Sequence, residues 1–282
     1  YSIAEDSELE KTVIPVTQCP SAPNTGTHFI HNWGPDGDTI GDGVFATMHY
    51  AFSKGVNDSW CIDFTRADED QGYRSAYDGR QSTPRNDGQS KAGWLNGPRP
   101  ATERGPFHRG IKCAIKDITD GTSNTFAMGE AVGGDQWLLC RGVGCTDALD
   151  PTTNPLGLRM PAHVGWIIGQ PCDEDQPNVF GSGMPMACCI ERLNKNPVTE
   201  NYMALEPDRH SVQRDCRSSL TLGTAAVNST SNFRSQHVGG GMFLRCDGSA
   251  KFVSENVDIN LYRATSTIAG GEVRVIPAGA AD

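Results

Sequence analysis

Hydrophobic and polar positions alternate most clearly near the C-terminus. Met242 to Cys246 and Ser249 to Val253 are short strand-like runs, and Asp247-Gly248 lies between them. Asp-Gly tolerates positive φ, so the pattern predicts a β-hairpin closed by a tight primed turn. Three glycines at 239–241 release the backbone before the first strand, where a side chain would block a close approach or a sharp bend. Asn256-Val-Asp258 then offers a cap for a short helix over Ile259 to Ile268. Gly270-Gly271 stops that helix, and Glu272 to Ile276 reads as one more strand. Further upstream, Val44 to Phe52 reads as a strand with His49 inside it as a packed, hydrogen-bonded side chain. Ile111 to Ile118 resumes a strand or a helix entry, and Phe126 to Glu130 is a buried strand ending.

Between these runs the chain is polar. Residues 57–106 are rich in Gly, Asp, Arg and Asn with scattered aromatics, a length of irregular chain that implies a functional or stapled loop. The longest apolar patch, Val164 to Ile168, is too short to span a membrane. Of 282 residues 37% are hydrophobic, while 32 are Gly and 17 Pro, which favours short strands and many turns over a helical bundle. The expected architecture is one mainly β, α+β domain over residues 1–282, with an antiparallel sheet and an elaborated, cysteine-rich insertion at about 133–220. The net charge of −10, without a dense basic patch, argues against nucleic acid as a partner.

The chain has ten cysteines: Cys19, Cys61, Cys113, Cys140, Cys145, Cys172, Cys188, Cys189, Cys216 and Cys246. They are dispersed, and only Cys140-x4-Cys145 approaches the paired spacing of structural zinc. Disulfides in an oxidising compartment are therefore the expectation for all ten, with adjacent Cys188 and Cys189 serving different partners.

Three blocks carry a family resemblance. His237, nine intervening residues and Asp247-Gly248 form the first. Asp117-Ile-Thr-Asp120-Gly121-Thr-Ser-Asn124-Thr-Phe-Ala-Met-Gly129-Glu130 is the second, and Cys19-Pro20-Ser21 the third. In chain order, Cys19-Pro-Ser first and His237 last, they resemble a large bacterial family of pseudopilin-like surface or secreted proteins that are similar to type II secretion pseudopilins. The resemblance implies a globular head behind a prepilin-type cleavage site and a long hydrophobic helix. This chain opens with Tyr1-Ser-Ile-Ala-Glu5, so membrane contact is expected only through a helix missing from the sequence at hand. It also implies an extracellular or cell-surface location and action by subunit association.

Candidate chemistry changes this picture little. Gly181-Ser182-Gly183 lacks the frame of a nucleophile elbow, and neither a phosphate-cradling loop nor His-Glu-x-x-His is present. His237 and Asp247 invite a catalytic pairing, but a structural role is favoured: Asp247 holds the turn and His237 bonds a nearby backbone group. Asp117 and Asp120, with the hydroxyl and amide oxygens up to Asn124, are a donor set for calcium. A capped turn, with Gly121 at its bend, is the favoured alternative, so no cofactor is expected. The acidic loop at 31–43 lacks EF-hand order. The expectation is thus a non-enzymatic assembly subunit that self-associates or joins related surface subunits. The competing reading is a secreted module binding carbohydrate through Trp60, Trp94 and Trp137.

Overall fold

The computed structural model describes residues 9–30, 43–56, 104–107, 113–141, 145–148, 161–166, 185–200 and 231–271. Its strands in chain order are β1 (Thr27–Ile30), β2 (Gly43–Ala46), β3 (Tyr50–Ser53), β4 (Phe126–Glu130) and β5 (Gly134–Arg141). They continue with β6 (Pro161–Ala162), β7 (Met186–Ala187), β8 (Val198–Glu200), β9 (Gly240–Arg245) and β10 (Ala250–Ser254), and helix α1 (Ile259–Ala264) follows. The protein is mainly β, as its polar, glycine-rich pattern implied. The main sheet has the order β10-β9-β4-β3-β7, antiparallel from β10 to β3 with β7 added in parallel. β1 pairs with β2, and β6-β5-β8 form a third sheet. Residues from 133–220 thus supply both a sheet of their own and the fifth strand of the main one. Among the described residues no helix is long and apolar enough to cross a membrane.

The C-terminal hairpin forms as the alternation predicts, with Met242 opposite Phe252 and Leu244 opposite Ala250. Its turn differs from expectation. Gly248 has φ +86°, whereas Asp247 is not left-handed; among the described non-glycine residues only Asn194 has positive φ. Gly248 N–H donates to Arg245 O at 3.0 Å and Arg245 N–H to Ser249 O at 2.8 Å. This is the longer loop in which a left-handed glycine follows a turn, not a two-residue primed turn. Asp247 favours it because its Oδ1 accepts from both N–H and Oγ of Ser249, at 2.8 and 2.7 Å.

The single strand expected over Val44 to Phe52 is split between two sheets. The backbone of Thr47 to His49 pairs with three other segments: Thr47 N–H donates to Gly26 O, Met48 N–H to Val164 O and His49 N–H to Thr17 O. Helix α1 starts where expected, since Asp258 accepts from the N–H groups of Asn260 and Leu261, each at 3.0 Å. It stops at Ala264 rather than Ile268. The hydroxyls of Thr265, Ser266 and Thr267 donate to the carbonyls of Leu261, Arg263 and Ala264, satisfying the end of the helix without another turn. The strand expected from Glu272 lies outside the described residues.

Tyr262 brings α1 onto the sheet. Its ring stands 6.0 Å from those of Phe126 and Phe243, which are 4.4 Å apart, and Phe233 packs edge-on to Phe243 at 5.0 Å. All four are fully buried. Gly129 lets the aromatic layer close over β4: a Cβ there would lie 2.5 Å from Phe243 Cε1 and 2.7 Å from Phe233 Cδ1.

Cys140 and Cys145 form a disulfide, Cα to Cα 6.0 Å. The expectation that all ten pair is not met at Cys19, Cys113, Cys189 and Cys246, which form no disulfide. Burial pushes the Cys189 thiol up to about 12, and burial with neighbouring Cys113 and Asp247 pushes Cys246 up to about 11, so both stay protonated near neutral pH. Cys61, Cys172 and Cys216 lie outside the described residues.

Two predictions follow from this core. Gly129→Ala forces the Phe233 and Phe243 rings apart and is expected to lower unfolding free energy by about 1–3 kcal/mol. A urea titration checks this, and an unchanged midpoint would show that the rings have room. The second concerns His163, whose ring stacks on His28 at 4.7 Å. Burial first, then His28, Arg234 and His49, lowers its pKa from 6.5 to about 3. The unfolded chain therefore takes up a proton below pH 6.5 that the folded one refuses. Stability is intact above that pH and falls by up to roughly 1.4 kcal/mol per unit below it. Between pH 6.5 and 5 the melting temperature of the wild type should drop more steeply than that of His163→Gln; parallel slopes would refute the assignment.

Candidate functional site

Glu130 is the last residue of β4, opposite Tyr50 of β3, and is 1% exposed. A buried carboxylate is costly unless its oxygens are satisfied. Here Oε2 accepts from Ser235 Oγ and from the Met242 N–H, both at 2.7 Å. Oε1 faces two other groups, the Cys19 thiol at 3.5 Å and His237 Nε2 at 3.2 Å. Cys19 Sγ and His237 Nε2 are 3.9 Å apart, which closes a triangle of sulfur, oxygen and nitrogen. Cys19 is 2% exposed, while the His237 side chain is 37% exposed, so the triangle opens to solvent on the histidine side.

Each corner is held by its own segment. Pro15–Thr17 form a 3-10 turn that leads into the Cys-Pro-Ser loop, and the Cys19 N–H donates to His49 Nδ1 at 2.9 Å. His49 must then carry its hydrogen on Nε2, which lies 2.9 Å from Asn24 O. Burial lowers the pKa of His49 and keeps this imidazole neutral. The reading of His49 as a packed, hydrogen-bonded residue matches this geometry, and its task is to position the cysteine loop. On the opposite side, Ser235 Oγ accepts the His237 N–H at 3.0 Å while donating to Glu130. Arg234 N–H donates to the Glu130 carbonyl at 2.9 Å, so the segment before the hairpin is laced to the end of β4. At Gly241 a Cβ would stand 3.0 Å from Ser235 Cβ and 3.3 Å from Glu130 Oε2, and glycine lets the start of β9 approach the carboxylate. Burial, then Cys19 and Glu130, raises the pKa of the neighbouring Tyr50 hydroxyl.

The residues singled out from the sequence fall elsewhere or differently. His237 and Asp247 flank β9 at opposite ends, so they make no catalytic pair. His237 does not aim its ring at a backbone group as expected; the ring meets Glu130 and Cys19. Asp247 and Gly248 form the hairpin tip, which docks on the second block: Cys246 N–H donates to Thr125 O at 2.9 Å and Asp247 N–H to Thr122 O at 3.1 Å. Asp120 Oδ2 and Oδ1 accept the N–H groups of Gly270 and Gly271 at 2.6 and 3.0 Å, and Gly121 turns the chain with φ +94°. Asp117 Oδ2 accepts the Ala114 N–H at 2.8 Å. Both carboxylates considered for calcium are thus occupied by backbone amides. The acidic loop at 31–42 and the aromatics Trp60 and Trp94 lie outside the described residues. Trp137 is 7% exposed, too buried to stack on a sugar.

Sequence reasoning missed the triangle itself. In the sequence Cys19 reads as a disulfide candidate and Glu130 as a strand end. The available signal is that each of the three blocks includes a residue able to ligate a metal, Cys19, Glu130 and His237 among them.

No curated protein and no solved structure matches the chain. A family profile, described as "Protein of unknown function (DUF1559)", matches residues 2–260 and so spans all three blocks, their meeting point at Glu130 and the hairpin that follows. The chain belongs to this DUF1559 family.

Proposed function

We propose that the protein is an extracellular assembly subunit, a pseudopilin-like head that associates with further copies of itself through the outer face of the β9–β10 hairpin. The observation that carries this reading is the hydrophobicity of that face. Along β9, Phe243 points into the core while Met242 and Leu244 point to solvent, 37% and 38% exposed; Phe252, opposite Met242 on β10, is 44% exposed. A sheet face meant for water alternates to polar residues at such positions. Here Met242, Leu244, Ala250 and Phe252 form one apolar row. Among the described strands β10 is also the edge of the main sheet, and an edge strand offers unpaired backbone groups to another chain. The Cys140–Cys145 disulfide supports a location outside the cytoplasm, where such bonds persist. Membership of DUF1559 is consistent with a surface role, and association requires no turnover.

Sedimentation equilibrium tests the reading. The wild type is expected to show a concentration-dependent rise in mass, and electron microscopy of the same samples to show regular assemblies. The double variant Met242→Glu with Phe252→Lys should remain monomeric with a melting temperature close to that of the wild type, because both side chains face solvent. A wild type that stays monomeric at high concentration, or a double variant that associates equally well, would overturn it.

A further inference from the structure

The Cys19–Glu130–His237 triangle fits a metal ion. Tetrahedral zinc holds sulfur at about 2.3 Å, imidazole nitrogen at about 2.0–2.1 Å and carboxylate oxygen at about 2.0 Å. Around such an ion the ligands stand about 3.6 Å apart for sulfur and nitrogen, about 3.5 Å for sulfur and oxygen, and about 3.3 Å for nitrogen and oxygen. The observed separations are 3.9, 3.5 and 3.2 Å. Three ligand atoms from residues far apart in sequence therefore stand at nearly the spacing an ion would impose.

The hydrogen bonding points the same way. Glu130 Oε2 is committed to Ser235 and Met242, which leaves Oε1 as the free, monodentate donor. Ser235 also fixes the backbone of His237, and His49 fixes that of Cys19. Ligands held by a second layer of hydrogen bonds are the usual construction of a protein metal site. Charge balances too: a thiolate and a carboxylate together neutralise a divalent cation, in a place where Cys19 and Glu130 are almost wholly removed from water. The ligand types select the metal. A soft sulfur, an imidazole and a single carboxylate oxygen suit zinc and its first-row neighbours, whereas calcium and magnesium require more oxygens.

We infer that Cys19 Sγ, Glu130 Oε1 and His237 Nε2 bind one divalent ion of the zinc class, with a fourth position open to water on the exposed His237 side. The ion ties the N-terminal loop, β4 and the segment before the hairpin to one point. This site is separate from the apolar face of the hairpin, and it stands or falls without reference to self-association.

Cobalt(II) is the probe, since its spectrum reports both thiolate ligation and tetrahedral geometry. The reduced, chelator-stripped chain is expected to take up one equivalent. It should develop a near-ultraviolet thiolate-to-cobalt band together with visible tetrahedral bands, and zinc should bleach both stoichiometrically. Cys19→Ser should abolish the near-ultraviolet band, and Cys113→Ser, which changes a thiol outside the triangle, should retain it. Ser235→Ala removes a hydrogen bond from Glu130 and should weaken binding about 10–100-fold while keeping the spectrum. His237→Ala guards against misfolding: its side chain is partly exposed, so the variant should keep the circular dichroism of the wild type and lose the rise in melting temperature that zinc confers. The inference is overturned if folded wild type binds no cobalt, if the spectrum persists in Cys19→Ser and His237→Ala, or if mass mapping of natively isolated protein finds Cys19 in a disulfide.

Discussion

The Glu130 carboxylate is the constraint around which the described structure closes. It is buried at the end of the middle strand of the main sheet, where an unsatisfied charge could not persist. One oxygen draws in the hairpin through the Met242 amide and the preceding segment through Ser235. The other faces the N-terminal loop and His237. Leaving such a group without one partner costs on the order of 1–3 kcal/mol, a large share of the stability of any domain. The carboxylate thus makes chain segments more than a hundred residues apart depend on one another.

β4 carries this dependence from one end of the sheet to the other. At its start, the Asp120–Thr125 turn is gripped from two sides. The hairpin tip donates to the carbonyls of Thr122 and Thr125, the Arg245 guanidinium donates to Ser123 O, and Asp120 holds the amides of Gly270 and Gly271. At its finish stands Glu130. Between them Gly129 admits Phe243 and Phe233 over the strand. The second sequence block therefore bridges two anchor points joined by a five-residue strand. The His-x9-Asp-Gly spacing acquires a physical meaning here: it spans β9 and its flanking residues, with His237 at the Glu130 end and Asp247 at the turn end.

Local features were legible in the sequence because their causes are local. The alternation of Met242 to Val253 set the hairpin, Asp258 set the start of α1, and the Phe126 to Glu130 run set a buried strand. Where a distant partner competes, legibility fails. The Val44 to Phe52 run reads as one strand, yet Gly26, Val164 and Thr17 take the backbone groups of its middle residues and divide it. The hairpin dipeptide reads as a primed turn until the Ser249 hydroxyl and amide are seen to bind Asp247. The candidate site lies furthest from local reading, since no spacing along the chain relates Cys19, Glu130 and His237. They become neighbours only after the sheet has formed.

Cysteine usage shows the same limit and separates two kinds of sulfur. Ten dispersed cysteines suggest a chain stapled throughout, and the Cys140–Cys145 bridge fits an oxidising environment. Cys19 does not belong to that pattern. Its amide is committed to His49, and its sulfur faces a carboxylate and an imidazole. A thiol placed at 2% exposure against two good metal donors is poorly placed for exchange with another cysteine and well placed for coordination. An ion there would shield the sulfur from oxidation in the compartment where the disulfide forms, and it would relieve the burial cost of the carboxylate beside it. Disulfide and coordination chemistry then cease to be competing readings of one cysteine count and become assignments to different residues of the same chain.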